Sequence, residues 1–339
     1  MKIEEKYMQR ALDLAEHGRG STSPNPMVGA VIVAANGRII GEGYHRRCGQ
    51  AHAEVNAIAS VSEADRPLLA DSTMYVTLEP CSHYGKTPPC AELIIRTGIP
   101  RVVVGATDPF VSVAGRGIAM LRQAGIEVAT GIMAHDSRQL NARFITAHEQ
   151  QRPWVTLKWA QSADGFIDSD RPDGLPHHFS NDTTALLTHR LRSLHDAILV
   201  GSGTAIADRP RLDCRLWPAL HQPQPVILDR RGRLSPDDNT TSVKPLIFTE
   251  NISLGEVLST LYAKGITSVL VEGGAAVLQS FIDAGLWDAA RTETTAQPLG
   301  RHGTARAPQL SARPVRSDVF GSNRIDIYSN NDLFRPDII

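Results

Sequence analysis

The sequence contains few cysteines, few aromatic residues, little net charge and no long apolar run. Four cysteines in 339 residues are too few for the disulfide framework of a secreted domain. A net charge of −1 and 5% aromatic residues disfavour the basic, aromatic groove in which proteins bind a nucleic-acid strand. No apolar stretch approaches the ~20 residues of a membrane-spanning helix, and we find no signal peptide. These absences predict a cytoplasmic protein that acts on neither membranes nor nucleic acid.

The length and the hydrophobic patterning predict two α/β domains. A chain of 339 residues is long for one hydrophobic core and comfortable for two. In the first half, strands at 73–78 and 101–106 alternate with helices, which predicts a three-layer α/β sandwich. A second alternation of strands and helices begins at Trp154. Because a polar helical stretch near 136–151 ends at Arg152-Pro153, we place the domains at 1–150 and 151–339.

The most specific pattern is a His-x-Glu sequence followed by two separated cysteines. His52, Cys81 and Cys90 are residue types that bind zinc, and three protein ligands leave the fourth tetrahedral position open for catalysis. Zinc lowers the pKa of bound water to around 7. Glu54, in the first turn of a helix predicted for 52–59, is placed to move protons without binding the metal. The pattern is typical of zinc-dependent nucleobase deaminases, so we predict hydrolytic deamination with Glu54 as general base and acid.

A closed, structural zinc site is the alternative to this catalytic interpretation. Such a site needs a fourth protein ligand, and Cys48 and His83 are the nearest candidates in the sequence. We predict that neither binds the metal, because the Pro-Cys element and the position of Glu54 favour catalysis.

The spacing of the two cysteines narrows the family. Cytidine and tRNA-adenosine deaminases have Pro-Cys-x-x-Cys, whereas the eight residues Ser-His-Tyr-Gly-Lys-Thr-Pro-Pro separate Cys81 from Cys90 here. This insertion resembles the deaminase half of the bifunctional deaminase/reductase family of riboflavin biosynthesis, and the second half of the chain is similar to that family's reductase domain. The matching segments are Pro24–Gly29, Gly43–His45, Thr77–Cys81, Ala114–Gly117, Arg152–Lys158, Arg190–Gly201 and Thr204–Leu212.

The resemblance implies both the fold and the reaction. It implies a cytidine-deaminase-like α/β/α domain followed by a dihydrofolate-reductase-like α/β domain with a mixed sheet. It also implies Zn²⁺ and NADPH as cofactors and 2,5-diamino-6-ribosylamino-4(3H)-pyrimidinone 5′-phosphate as the small-molecule substrate, which is deaminated and then reduced to a ribityl product. A homo-oligomer, dimer or tetramer, is the implied assembly.

The resemblance further assigns site residues, and some have simpler interpretations. Asn25 could be only a turn residue, Lys86 a solvated loop charge, His45 a strand-end histidine and Arg192 an exposed ion-pair partner. Lysine and arginine suit a phosphate through charge-assisted hydrogen bonds, and a Gly-Gly turn lets backbone N–H groups approach phosphates. The implied deaminase substrate residues are Asn25, His45, Lys86 and Asp108; the reductase substrate residues are Lys158, Arg192, Leu212, Arg215 and Glu272; and the NADPH residues are Ala160, Thr204, Asp208, Gly273 and Gly274.

The chain also departs from the family pattern, which keeps two other functions open. Phe110 stands where many members have asparagine, Arg209 stands in place of an acidic residue, and Pro176–Phe179 replaces a Ser-x-Trp element. One alternative function is a deaminase whose second half is a degenerate reductase. The other is a deaminase that acts on nucleic-acid bases.

Overall fold

A computed structural model describes the chain in five stretches and divides it into two units, Met1–Gln150 and Gln151–Ile339. Within those stretches, every helix is too short or too polar to cross a lipid bilayer. The described residues are 3–84, 88–110, 114–235, 240–249 and 252–335.

The first unit is built on a five-stranded sheet of order β2-β1-β3-β4-β5. Strand β1 runs antiparallel to β2 and β3, whereas β3, β4 and β5 are parallel. A hairpin turn at Asn36-Gly37 connects β1 to β2, and Gly37 takes the positive φ of 81° that this turn requires. The elements are α1 (Ile3–Glu16), β1 (Gly29–Val33), β2 (Ile39–Tyr44), α2 (Ala53–Ala59), β3 (Thr73–Leu78), α3 (Cys90–Thr97), β4 (Arg101–Ala106), α4 (Arg116–Gln123), β5 (Glu127–Thr130), α5 (Ala134–Leu140) and α6 (Ala142–Gln150).

Helices cover both faces of this sheet. Successive side chains of a strand point to opposite faces, so Val103 of β4 packs in the layer of α1 and α5, while Val102 and Val104 pack in the layer of α2, α3 and α4. The three-layer prediction is confirmed.

A side-chain contact divides the helical stretch at the end of this unit, which the sequence predicts as one helix. Asn141 separates α5 from α6. Its Oδ1 accepts from the backbone N–H of Met27 and its Nδ2 donates to the carbonyl of Met27, both at 2.8 Å. The contact fixes the loop that carries Asn25 against the end of the unit.

The second unit contains an eight-stranded mixed sheet of order β10-β9-β8-β11-β6-β12-β15-β14. Its first six strands are parallel to one another. Strand β15 pairs antiparallel with β12 on one side and with β14 on the other. Strands β7 and β13 form a separate two-stranded sheet, which the sequence did not predict. The elements are β6 (Trp154–Gln161), β7 (Phe166–Ser169), α7 (Asp182–Ser193), β8 (Ala197–Gly201), α8 (Ser202–Asp208), β9 (Gln224–Leu228), β10 (Leu246–Phe248), α9 (Leu254–Ala263), β11 (Ser268–Gly273), α10 (Ala275–Asp283), β12 (Ala289–Thr295), β13 (Gly303–Arg306), β14 (Arg316–Phe320) and β15 (Asn323–Ser329).

The core of the second unit also lies on both faces of its sheet. On one face, β6 and β11 pack against α9 and α10 through residues such as Leu157, Val271 and Phe281. On the other face, Leu191 of α7 and Ala205 of α8 pack against Ile198 of β8. The polar residues of the predicted reductase site, described below, lie on the α7 side.

Candidate active sites

Three metal-binding side chains meet at the N-terminal ends of two helices in the first unit. His52 is the N-cap residue of α2, Cys90 is the first residue of α3, and Cys81 follows β3. The Sγ atoms of Cys90 and Cys81 lie 3.3 Å and 3.6 Å from His52 Nδ1, and all three ligand atoms lie within 4.8 Å of one another. In the part of the chain that the structure describes, no other group has this geometry, and neither Cys48 nor His83 belongs to it.

The chemistry of these donors fits zinc. One imidazole nitrogen and two sulfurs are ligands that zinc prefers, and helix N-termini favour thiolates over thiols. A hydrogen bond from the Cys90 thiol and another from His52 lower the pKa of Cys81 to about 4. The same contact with Cys81, together with burial, raises the pKa of Cys90. Two thiols that share one proton beside an imidazole form a site where a divalent cation can replace that proton.

Glu54 lies in the first turn of α2, two residues from the predicted ligand His52. Its side chain is buried, and burial, followed by the negative charge of Cys81, raises the pKa of Glu54 to about 7. A carboxyl group with that pKa can both take and return a proton at neutral pH. The helix begins one residue later than the sequence predicts, so His52 precedes the first turn.

Two of the predicted substrate residues lie beside the metal-binding group. Ring atom Nδ1 of His45 lies 3.1 Å from the carbonyl of Ala51, so we assign the ring proton to Nδ1. The accepting Nε2 then lies 3.4 Å from the Asn25 side-chain amide, and the ring centre is 5.4 Å from that of His52. Burial lowers the pKa of His45, which keeps its ring neutral near pH 7.

The remaining predicted deaminase residues are Asp108 and Lys86. Asp108 follows β4 and accepts a 2.8 Å hydrogen bond from the backbone N–H of Phe110; burial raises the pKa of Asp108. The Phe110 ring lies edge-on to His148, with ring centres 5.5 Å apart, so it supplies no side-chain amide. Lys86 lies outside the described residues.

Glu79 is a residue that the sequence did not single out. Its buried carboxylate stands two residues before Cys81 and accepts four backbone hydrogen bonds from the segment that begins at Asp108. The donors are the N–H groups of Asp108 (3.3 Å), Gly115 (2.9 Å), Gly117 (2.9 Å) and Ile118 (3.3 Å). Glu79 therefore connects the segment of Asp108 and the start of α4 to the strand end that presents Cys81. Because its partners are backbone atoms, no side-chain pattern in the sequence points to this role.

Replacing Glu79 by Gln is expected to raise the KM of deamination about tenfold or more with zinc retained. The glutamine side-chain NH₂ would face backbone N–H donors, and charge-assisted hydrogen bonds of this kind contribute about 1.5–3 kcal/mol each. Zinc content, Tm and steady-state kinetics measure the effect. The control is Glu63→Gln, because Glu63 is exposed. An unchanged KM would show that the network does not position Asp108.

In the second unit, predicted substrate residues gather on the α7 face of the sheet. Arg192 of α7 and Glu272 of β11 form two hydrogen bonds of 2.8 and 2.6 Å, and both side chains are largely buried. Lys158 lies on the neighbouring strand β6, and its ammonium makes no hydrogen bond or ion pair with any described residue. Arg215 pairs with Asp213 at 2.6 Å, and Leu212 is buried.

The predicted Gly-Gly turn lies where β11 meets α10. Gly273 has a φ of 138°, which residues with a side chain rarely adopt, and Gly274 is the N-cap of α10 without a side-chain cap. A Cβ on Gly274 would lie 3.1 Å from Thr204 Oγ1, so three of the predicted NADPH residues meet here. An α-helix leaves its first backbone N–H groups without intrahelical partners, and phosphates bind at helix ends of this kind.

The other two predicted NADPH residues lie on different elements. Asp208, at the end of α8, forms a 2.7 Å ion pair with Arg171. Ala160 lies on β6, where it pairs with Glu293 of β12.

Comparison with known proteins gives matches along both units. Residues 1–106 match the model of the cytidine and deoxycytidylate deaminase zinc-binding region, and residues 153–314 match the RibD C-terminal domain. The chain is 42% identical to the riboflavin biosynthesis protein RibD of Bacillus amyloliquefaciens, over 84% of this chain and 82% of that protein. The chain belongs to the RibD family. The RibD of Escherichia coli (strain K12) is 36% identical over 84% of this chain and 85% of that protein.

Solved RibD structures support the same assignment. The Acinetobacter baumannii RibD has a TM-score of 0.85 at 33% identity, covering 97% of this chain and 99% of that chain. A diaminohydroxyphosphoribosylaminopyrimidine deaminase/5-amino-6-(5-phosphoribosylamino)uracil reductase from Thermotoga maritima has a TM-score of 0.83 at 35% identity, covering 96% and 98%. The chain is thus a bifunctional RibD-type deaminase and reductase of riboflavin biosynthesis with zinc and NADPH as cofactors. The predicted cytidine-deaminase-like and dihydrofolate-reductase-like folds are confirmed.

Proposed function

We propose that residues 1–150 deaminate 2,5-diamino-6-ribosylamino-4(3H)-pyrimidinone 5′-phosphate and that residues 151–339 reduce the ribosyl group of the product with NADPH. The observation that carries the first assignment is the convergence of His52, Cys81 and Cys90 beside the buried Glu54. The name of the Thermotoga maritima relative supports the order and nature of the two reactions.

The deaminase residues would divide the chemistry as follows. His52, Cys81 and Cys90 hold zinc, which supplies Lewis-acid activation of a water molecule. The Glu54 carboxylate would pass one proton from water to the ring nitrogen as the hydroxyl group adds to the ring carbon. It would then pass the proton of that hydroxyl group to the amino group, which leaves as ammonia. Its buried position supports this role, because it keeps the pKa near 7.

Substrate binding in the first unit would fall to the polar residues around Glu54. Asn25 Nδ2 and His45 Nε2 present neighbouring polar atoms to the pyrimidine, and Asp108 contributes a half-buried carboxyl group. Lys86 is proposed as a further contact from the resemblance alone.

In the second unit, Lys158, Arg192, Leu212, Arg215 and Glu272 would hold the reductase substrate. The backbone N–H groups that follow Gly273 and Gly274, with Thr204, would bind phosphate groups of NADPH, and Ala160 and Asp208 would lie along the cofactor. NADPH bound there supplies the hydride. The ammonium of Lys158 supports substrate binding, since it has no partner among the described residues and a lysine in a buried strand usually has one.

Two substitutions separate the proposed activities. Cys90→Ser is expected to lose zinc and ammonia release while it still oxidises NADPH with the already deaminated substrate. The Lys158→Met variant is expected to release ammonia at the normal rate, while its rate of NADPH oxidation falls by about tenfold or more. Cys48→Ser, at an exposed cysteine, is the control and keeps zinc and both activities. Ammonia release by zinc-free Cys90→Ser protein would contradict the proposal.

We also propose that the protein is a cytoplasmic homo-oligomer, a dimer or a tetramer. All four cysteines are unpaired, including the exposed Cys48, which suits a reducing compartment. Analytical ultracentrifugation of the zinc-loaded protein tests the assembly; a species with the mass of one chain at all concentrations would contradict it.

A further inference from the structure

A positive charge without a partner is buried in the second unit, at a residue not assigned above. Arg291 of β12 has only 2% of its surface exposed. Its Nη1 donates a 3.3 Å hydrogen bond to Thr188 Oγ1, and its Nη2 is buried with no hydrogen-bond partner. Across the described residues, no carboxylate lies within ion-pair distance of this guanidinium. Burying a charge without a partner is costly, so the arrangement calls for an anion.

The sheet register places Arg291 beside Lys158. Arg291 pairs with Lys158 across β12 and β6, and continuing the β6–β11 register places Glu272 on the other side of Lys158. Residues paired across neighbouring strands share a face, so Glu272, Lys158 and Arg291 form one row. Lys158 and Arg291 are like charges directly opposite one another, which is unfavourable. Glu272 does not relieve this repulsion through a hydrogen bond to Lys158, because Arg192 already binds both of its oxygens.

The charges around this row do not balance. Within the row and on the same face of β12 and α7, three cations, Lys158, Arg192 and Arg291, face two carboxylates, Glu272 and Glu293. The nearby Asp213 is paired with Arg215, and Arg190 adds a further positive charge near Arg291. The Glu293 carboxylate is engaged by the Ser180 hydroxyl at 2.9 Å and the Asn323 amide at 2.5 Å. At least one positive charge is therefore left over, and the donors at Lys158 Nζ and Arg291 Nη2 are unused.

A histidine beside this row carries no charge. His189 of α7 has an Nδ1 without a partner. Burial, followed by the charge of Arg192, lowers the pKa of His189 to about 4. Its ring is therefore uncharged at neutral pH and does not add to the positive excess.

We propose that Arg291 is a further substrate-binding residue, which together with Lys158 receives the phosphate group of the reductase substrate. The proposal rests on the proposed function of the second unit. A phosphate monoester offers three acceptor oxygens and close to two negative charges, which matches the unused donors and the excess charge. The phosphate approaches from the side of Lys158, because Lys158 is a half-buried residue whereas Arg291 is almost fully enclosed.

Arg291→Met separates binding from a structural role. Methionine fills a similar volume without charge, and replacing an unpaired buried charge by an apolar side chain leaves stability unchanged or higher. We expect Tm to stay or rise, while the KM for the reductase substrate rises tenfold or more and the KM for NADPH stays the same. Ammonia release by the same chain serves as an internal control for folding. Arg313→Met, at an exposed arginine of the same unit, is the matched control.

Binding of phosphate itself gives a second readout. Inorganic phosphate and ribose 5-phosphate should each raise the Tm of the unmodified holoenzyme and should have little effect on the Tm of Arg291→Met. Ribose 5-phosphate should also compete with the reductase substrate of the unmodified protein. A lower Tm with an unchanged KM would overturn the proposal. A rise confined to the KM for NADPH would also overturn it, by assigning Arg291 to a cofactor phosphate. If the unmodified protein oxidises no NADPH, the proposed function fails, and the phosphate-dependent Tm shift alone decides the role of Arg291.

Discussion

Replacing Glu54 by Gln is expected to slow ammonia release by roughly 10²–10⁴-fold without loss of zinc. The amide keeps the shape of the side chain but cannot take up and return a proton. Because Glu54 is buried and is not part of the metal-binding group, the three predicted ligands stay in place. Single-turnover ammonia release and zinc analysis on the same sample measure both effects.

The matched control for Glu54→Gln is Glu63→Gln, the same chemical change at an exposed position of the same unit. It should behave as the unmodified protein in both assays. Zinc loss from Glu54→Gln would assign the carboxylate to metal binding instead. Full activity with zinc present would exclude Glu54 as the group that moves protons.

Replacing Glu272 by Gln is expected to destabilise the second unit by about 3 kcal/mol and to weaken the pH dependence of its stability in acid. Burial alone would raise the pKa of Glu272, but the charge of Arg192 and the two hydrogen bonds between them lower it from 4.5 to about 2. A carboxyl group with a lowered pKa stabilises the folded state above its unfolded pKa, and this contribution is lost as the pH falls from about 4.5 to 2. The shift corresponds to about 3 kcal/mol.

Tryptophan fluorescence measures this effect selectively, because all four tryptophans lie in the second unit. Denaturant unfolding at several pH values should show acid destabilisation for the unmodified protein and a weaker pH dependence for Glu272→Gln. The control removes both charges: Arg192→Met combined with Glu272→Leu should recover stability without recovering NADPH oxidation. Equal stability of Glu272→Gln and the unmodified protein at pH 7 would contradict the buried ion pair.

Strands were predicted well where the hydrophobic pattern alone determines them. The predicted strands 73–78 and 101–106 agree with β3 and β4 residue by residue, because each is an apolar or alternating run bounded by turn residues. Two features of the first unit could not be predicted from the local sequence pattern. Asn141 breaks a helix by binding the backbone of Met27, and Glu63–Asp71 forms a 3-10 helix without a periodic apolar face.

The two candidate sites differ in how much the sequence could predict. Residue types and spacing identify His52, Cys81, Cys90 and Glu54, because zinc chemistry restricts the ligands to a few residue types. Arg291 could not be found this way. Arg291 and Glu293 lie two residues apart on the same face of β12, and charged residues at this spacing are typical of a strand face exposed to water. The charge of Arg291 is buried only because α7 packs over this face of the sheet.

The most direct test of the account is one assay on the unmodified, zinc-loaded protein with the diaminopyrimidine phosphoribosyl substrate. Ammonia release and NADPH absorbance are followed together, with and without NADPH. We predict ammonia release in both samples, and NADPH loss that begins only after ammonia appears and ends at one equivalent. NADPH loss without prior ammonia release would contradict the proposed order, and the absence of ammonia would contradict the catalytic role of the zinc-binding site.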